Sequence, residues 1–370
     1  KTELPSVQEM LWKHLEELHD LGVTMLRIDA ASYMHVEDLA AFMNRAPWDF
    51  VVQEWWDGVP EVQRSRFVGH YRDFRYGTKI KEALEGDNAG VGQLLDIVKG
   101  NDGILPEEAV ATLTDHDRNE EVSYKAGLAF HQWQKWMLAW PKAFSVRLFS
   151  GFGWATTEDG PPGCEAEDAQ CQPRSVFNGQ ENECMRDPVR SPLDLGLSNR
   201  RVWVCEHRWS GVAGLINFRK ACRGLPVERT WLMPEKGRVA FRAGHACFAA
   251  LQKGYNAGAG APVPMGDWSL AGVESGLPLG RYCDLASLPT LAGWERNSCP
   301  REVIIDAGGI VVEGVAPDGD MLAIHTGARL GDSYSSTDMP SQACPLLPGS
   351  LPLLALFYCV GLVRPGLVAQ

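Results

Sequence analysis

Three short apolar runs in this chain each stop at carboxylates. Residues 23–29 read Val-Thr-Met-Leu-Arg-Ile-Asp, 50–54 read Phe-Val-Val-Gln-Glu, and 110–117 read Val-Ala-Thr-Leu-Thr-Asp-His-Asp. A carboxylate nucleophile and a carboxylic acid, held roughly 5–5.5 Å apart, are the equipment for cleaving a glycosidic bond with retention. Asp29 suits the nucleophile, because the guanidinium of Arg27 can hold it ionised and oriented. Glu54 suits the acid, because Val51, Val52, Trp55 and Trp56 flank it and apolar surroundings keep a carboxyl protonated. Asp117 suits a third role, gripping the hydroxyls of a distorted sugar ring, and His116 beside it can donate to the same hydroxyls. Trp55 and Trp56 offer flat faces for stacking sugars, although such faces are equally ordinary core material.

Side chains so placed need a scaffold that delivers them to one cleft. Apolar runs that end in acids are what a parallel barrel produces at the C-terminal ends of its strands. Between the runs the pattern turns helical. Val7, Met10, Leu11, Leu15 and Leu18 predict a helix over 6–21, opened by a Ser6/Glu9 capping box and stopped by Gly22. Further helices are expected over 35–44, 79–84, 123–140 and 202–221, and further strands over 71–76 and 143–150. Strand–helix alternation of this kind specifies an α/β fold with a parallel sheet. Residues 154–195 lose all period and read as an irregular insertion. From about residue 226 short β runs recur over 238–241, 247–251, 303–305 and 309–312, predicting an all-β domain over 226–332 after an α/β domain over 1–225. Residues 333–370 read as a disordered tail with an apolar end.

The bulk composition narrows the partners. The 370 residues are 45% hydrophobic and 22% charged, with a formal net charge of −12. An acidic chain of this kind argues against nucleic acid and suits a neutral substrate such as a polysaccharide. All 10 cysteines follow residue 160, and none stands in a C-x-x-C zinc spacing. They read as partly disulfide-bonded in an oxidising, extracellular compartment, with Cys164 and Cys171 able to tie the insertion; buried free thiols are the alternative. The chain opens on Lys1, which reads as a processed chain or a fragment. The apolar run 351–363 is too short to span a bilayer and contains Pro352; small residues near Ser335 and Ser336 weakly fit a lipid-anchor signal. A monomer is expected.

At the carboxylate runs the chain resembles the α-amylases of glycoside hydrolase family 13. Gly22 to Ala31, Gly-Val-Thr-Met-Leu-Arg-Ile-Asp-Ala-Ala, is similar to the family's fourth-strand motif; Gln53-Glu54 to its fifth-strand motif; and His116-Asp117 to the end of its seventh. Tyr71 to Gly77 resembles the sixth-strand segment, and Trp203 to Trp209, Trp-Val-Cys-Glu-His-Arg-Trp, the start of the last barrel helix. Leu279 to Asp284 and Ala323 to Gly327 are similar to the family's C-terminal Greek-key domain. The resemblance covers about residues 5 to 330. It implies strands four to eight of a (β/α)8 TIM barrel followed by an antiparallel Greek-key β domain. It implies Asp29 as nucleophile, Glu54 as acid/base and Asp117 as transition-state stabiliser in the endo-hydrolysis of α-1,4-glucosidic bonds in starch or glycogen. Arg27, His116, Tyr33 and Trp55 are then substrate-side residues, and Cys283 and Cys299 a disulfide worth about 3 kcal/mol by chain entropy.

Departures from the family pattern carry expectations of their own. Ser32 and Tyr33 stand where the family has Lys-His. The backbone carbonyl of Tyr33 can still serve a structural calcium, the family's cofactor. Asp115 stands at an Asn position and Gly153 at an Arg position of the chloride site in animal-type members, so chloride dependence is not expected. Strands one to three are not expected in this chain, so residues 1–370 alone should be inactive or barely active. The alternatives are another family 13 glucosyltransferase or isomerase, or a non-catalytic carbohydrate-binding descendant.

Overall fold

The computed structural model describes residues 1–55, 69–97, 104–117, 122–156, 158–164, 171–178, 181–182, 184, 202–254, 266–288 and 299–331. Trp56, Ser335, Ser336, Cys344, Cys359 and the apolar run 351–363 lie outside them.

The apolar runs form a parallel sheet. Its strands are β1 (Met25–Ile28), β2 (Phe50–Gln53), β3 (His70–Asp73), β4 (Ala109–Thr112) and β5 (Ser145–Arg147), hydrogen-bonded in chain order. Helix α1 (Pro5–Asp20) precedes β1, α2 (Val36–Met43) links β1 to β2, α3 (Arg75–Glu85) lies between β3 and β4, and α4 (Leu128–Ala139) between β4 and β5. All adjacent pairs are parallel, as connection through crossovers demands. β4 is buried along its whole length, whereas β1 alternates exposed and half-buried residues, as an edge strand does. Sequence order, parallel pairing and intervening helices fit part of a TIM barrel.

Several element boundaries differ from the sequence expectation, each for a local reason. Helix α1 starts at Pro5, which is pre-set for the first helical turn, and its cap residue Leu4 accepts no side-chain bond, so the Ser6/Glu9 box is not made. Gly22 does end that helix, at φ +92°, with its N–H on the His19 carbonyl. Residues 71–76 are not all strand: the Asp73 carboxylate accepts the N–H groups of Arg75 and Tyr76, both at 3.1 Å, and starts α3 there. Gly127, at φ +60°, delays α4 to Leu128. Gly211, at φ +79°, likewise shortens the last helix to α5 (Val212–Cys222).

Two short strands, β6 (Phe177–Asn178) and β7 (Glu181–Asn182), pair with each other ahead of the β-rich part. That part holds two four-stranded antiparallel sheets. One consists of β8 (Val227–Met233), β9 (Arg238–Ala243), β10 (Cys247–Gln252) and β16 (Met321–His325). The other consists of β12 (Gly280–Cys283), β13 (Glu302–Ile305), β14 (Val311–Glu313) and β17 (Arg329–Leu330). A two-stranded ladder of β11 (Trp268–Ser269) with β15 (Val315–Ala316) completes the set. Residues Lys1–Gly331 form one compact unit. Its main core runs from the parallel sheet through Trp133, Trp136 and Trp140 to Phe241 of β9, and a second core around Phe248, Trp268, Tyr282 and Ile305 lies within the β part. Disulfides join Cys164 to Cys171, Cys184 to Cys205, Cys222 to Cys247 and Cys283 to Cys299. Among the described residues no helix is long and apolar enough to cross a membrane.

Candidate active site

Parallel register brings the first two acids side by side. Ile28 pairs with Gln53, and the Glu54 N–H extends the ladder to the Ile28 carbonyl at 2.9 Å. Asp29 and Glu54 therefore leave adjacent strands at the same level. Arg27 and Asp29, two residues apart, share a face of the strand. One guanidinium then serves both acids: Arg27 Nη1 lies 2.7 Å from Asp29 Oδ1, and Nη2 lies 2.6 Å from Glu54 Oε1. The Asp29 carboxyl is held below its ordinary range by the Arg27 hydrogen bond first, and by a hydrogen bond with Glu54 second. The other Glu54 oxygen accepts the Ala30 N–H at 2.9 Å. Ala30 has φ +49°, a left-handed conformation that a residue bearing Cβ adopts at a cost, here held in place by that bond.

The third acid arrives from β4. The Asp117 N–H donates to Asp115 Oδ1 at 2.8 Å, a turn that lifts the Asp117 side chain to about half exposure beside His116, whose Nε2 is 3.6 Å from Asp117 Oδ1. Asp29 is the most open of the three, with 74% of its side chain exposed, and Glu54 the deepest, with 7%. An ionised acid open to the cleft beside a buried one is the asymmetry that a nucleophile and a proton donor need. Glu54 nonetheless lies among charges rather than in the purely apolar surroundings its sequence neighbours suggested, because Arg27 and Arg72 both face it.

Two arginines in this cluster escape a search for acids. Arg72 of β3 pairs through Nη2 with Asp115 Oδ2, and Arg147 of β5 stands close enough to Arg72, Arg27, Asp117 and Glu54 for their charges to act on it. Burial, then the charge of Arg147, brings the Arg72 guanidinium down to about 10; it stays cationic at neutral pH. Both were within reach of a broader rule: Tyr-Arg-Asp and Ser-Val-Arg also end β-like runs in charge. All five parallel strands thus point at least one charged side chain at one place.

Two other expected site residues, Trp55 and Tyr33, differ sharply in exposure. Trp55 is buried in the core, perpendicular to Tyr71 with ring centroids 6.2 Å apart, and is not an open sugar platform. Tyr33 ends a single 3-10 turn, Ala31–Tyr33, and is 83% exposed. Among the described residues no group of three or more His, Cys, Asp or Glu could hold a metal ion.

No protein-family model matches the chain. The α-amylase of Tenebrio molitor is 26% identical over 352 residues, covering 88% of this chain and 66% of that one. The pancreatic α-amylase of Sus scrofa is 24% identical over 370 residues, covering 88% of this chain and 63% of that one. These relatives indicate the α-amylase type of glycoside hydrolase family 13. The chain spans about two thirds or less of their length. The crystal structure of α-amylase I from Eisenia fetida superposes with a TM-score of 0.66 at 21% identity, over 88% of this chain and 66% of that one, which shows the fold. That amylase has also been solved in complex with maltohexaose.

Proposed function

We propose that this family 13 chain carries the catalytic carboxylates for endo-hydrolysis of α-1,4-glucosidic bonds in starch or glycogen, with retention. The observation that carries the reading is the pair Asp29 and Glu54 on one guanidinium, with Asp117 across the same cleft. Asp29, open and ionised, attacks the anomeric carbon. Glu54 delivers a proton to the leaving oxygen and then takes one from the incoming water. Asp117 and His116 grip the hydroxyls of the distorted ring. In this reading β1 to β5 are strands four to eight of the barrel, and the antiparallel sheets are the Greek-key domain.

The family's calcium stays an expectation here. Chloride activation is not expected, because Asp115 and Gly153 put an acid and no cation where the family has Asn and Arg, and the Asp115 carboxylate pairs with Arg72. Four disulfides among the described residues fit an oxidising, extracellular compartment. The described parallel sheet ends in two unpaired edges at β1 and β5, so we expect residues 1–370 alone to hydrolyse starch poorly or not at all.

Glu54→Gln in the full-length protein tests the reading. Turnover of maltooligosaccharides should fall by a factor on the order of 10² to 10⁴. Unchanged turnover would remove Glu54 from the acid/base role, and a wild type without turnover would leave the carbohydrate-binding alternative. Product analysis on the wild type separates the enzymatic alternatives: hydrolysis releases new reducing ends, whereas glucosyl transfer conserves their number.

A further inference from the structure

The middle strand of the parallel sheet delivers an arginine where its neighbours deliver acids. Arg72 is only 2% exposed. A guanidinium so buried requires fixed counter-charge. Asp115 supplies it through Oδ2, while its Oδ1 accepts the Asp117 N–H at 2.8 Å. The opposite end of the fork does something a structural pair does not need. Arg72 Nη1 lies between two carboxylates, 3.7 Å from Glu54 Oε1 and 3.9 Å from Asp117 Oδ2. The guanidinium packs on the Phe74 ring, with Cζ 4.0 Å from the ring centroid.

We propose that Arg72, with Asp115 as its fixed counter-ion, is a positioning residue that sets the separation of Glu54 and Asp117. This rests on the hydrolytic reading above. Glu54 is clamped between Arg27 on one side and Arg72 on the other, so it keeps one anchor when Arg72 is lost. Among the described residues the guanidinium paired with the Asp117 carboxylate is that of Arg72, and Asp115 holds the Asp117 backbone. Loss of Arg72 should therefore release Asp117 more than Glu54. A lysine would keep the charge but could not reach Asp115, Glu54 and Asp117 at once, because the reach depends on the planar fork.

The test compares wild type, Arg72→Met, Arg72→Lys and Asp115→Ala as full-length proteins, by crystallography and by maltooligosaccharide kinetics. In Arg72→Met the Glu54–Asp117 carboxyl separation should change by roughly 1 Å, and kcat should fall on the order of 10- to 10²-fold while KM changes far less. Arg72→Lys should resemble Arg72→Met. Asp115→Ala should lose turnover that sodium formate, small enough to enter the vacated carboxylate position, restores, and that sodium gluconate at equal ionic strength does not. Unmoved carboxylates in Arg72→Met, or its wild-type kcat, would overturn the inference. A wild type without turnover brings down the hydrolytic reading, yet the carboxyl separation in Arg72→Met still decides this one. Should Arg72→Met fail to fold, the separation in Asp115→Ala with and without formate decides it in the same way.

Discussion

Arg27 gives one nitrogen to each of two acids, and that single residue turns two strand ends into a pair. The same logic of a buried group and its partner explains Glu206, which is 2% exposed and accepts the Gly151 N–H at 3.1 Å. Burial pushes this carboxyl from its ordinary 4.5 up to about 7. Below pH about 4.5 it is protonated in both the folded and unfolded chain and has no effect on stability. As pH rises from there, the unfolded chain ionises it while the fold retains the proton, so stability falls, by roughly 3 kcal/mol once pH passes about 7. Glu206→Gln should remove this loss. Melting curves of variant and wild type should diverge in the variant's favour between about pH 5 and pH 7.5; parallel curves would show that Glu206 is not the titrating group.

At the scale of elements, small residues decide where helices begin and how close they come. Residues 202–221 carry a helical apolar pattern throughout, yet only Val212–Cys222 is α-helix. Gly211 takes φ +79°, and its N–H bonds the Leu288 carbonyl at 2.7 Å, so the chain turns before the helix can start. One turn later Gly214 faces the segment Leu285–Ser287, where a Cβ would overlap the Leu285 carbonyl. The helix can lie on that segment only because position 214 has no side chain. Gly214→Ala should cost about 1–3 kcal/mol by overpacking, despite alanine's better helix propensity. Urea denaturation measures it, and a more stable variant would mean that the contact relaxes without strain.

For the whole molecule, the question is what keeps the α/β part and the β part together. Aromatic packing does much of it: Trp136 and Trp140 meet Phe241 edge-on at 5.8 and 5.1 Å between ring centroids. Lys135 on the same helix reaches across to Asp320 at 2.6 Å and to the Ala286 carbonyl at 3.1 Å. A covalent tie runs in parallel, since the Cys222–Cys247 disulfide joins α5 to β10 across a sequence separation of 25. Closing a loop of that length restricts the unfolded chain by about 3 kcal/mol. Replacing both cysteines by serine should lower the unfolding free energy by that order, read as a lower denaturant midpoint. An unshifted midpoint would assign the joint to the aromatic core alone.

What the sequence determined by itself was whatever local pattern can encode. Apolar runs ending in acids announced the strands and the roles open to Asp29, Glu54 and Asp117, because a buried strand must be apolar and a cleft at its end must be polar. Alternation of periods announced the α/β class, and the later β runs announced the antiparallel sheets. The tertiary structure alone decided the partners. That Arg27 bridges two acids, that Trp55 faces the core, and that Arg72 lies buried against Asp115 all depend on which strand lies beside which and in what register. Side chains 27 to 43 residues apart meet there only through inter-strand geometry, which no window of sequence contains.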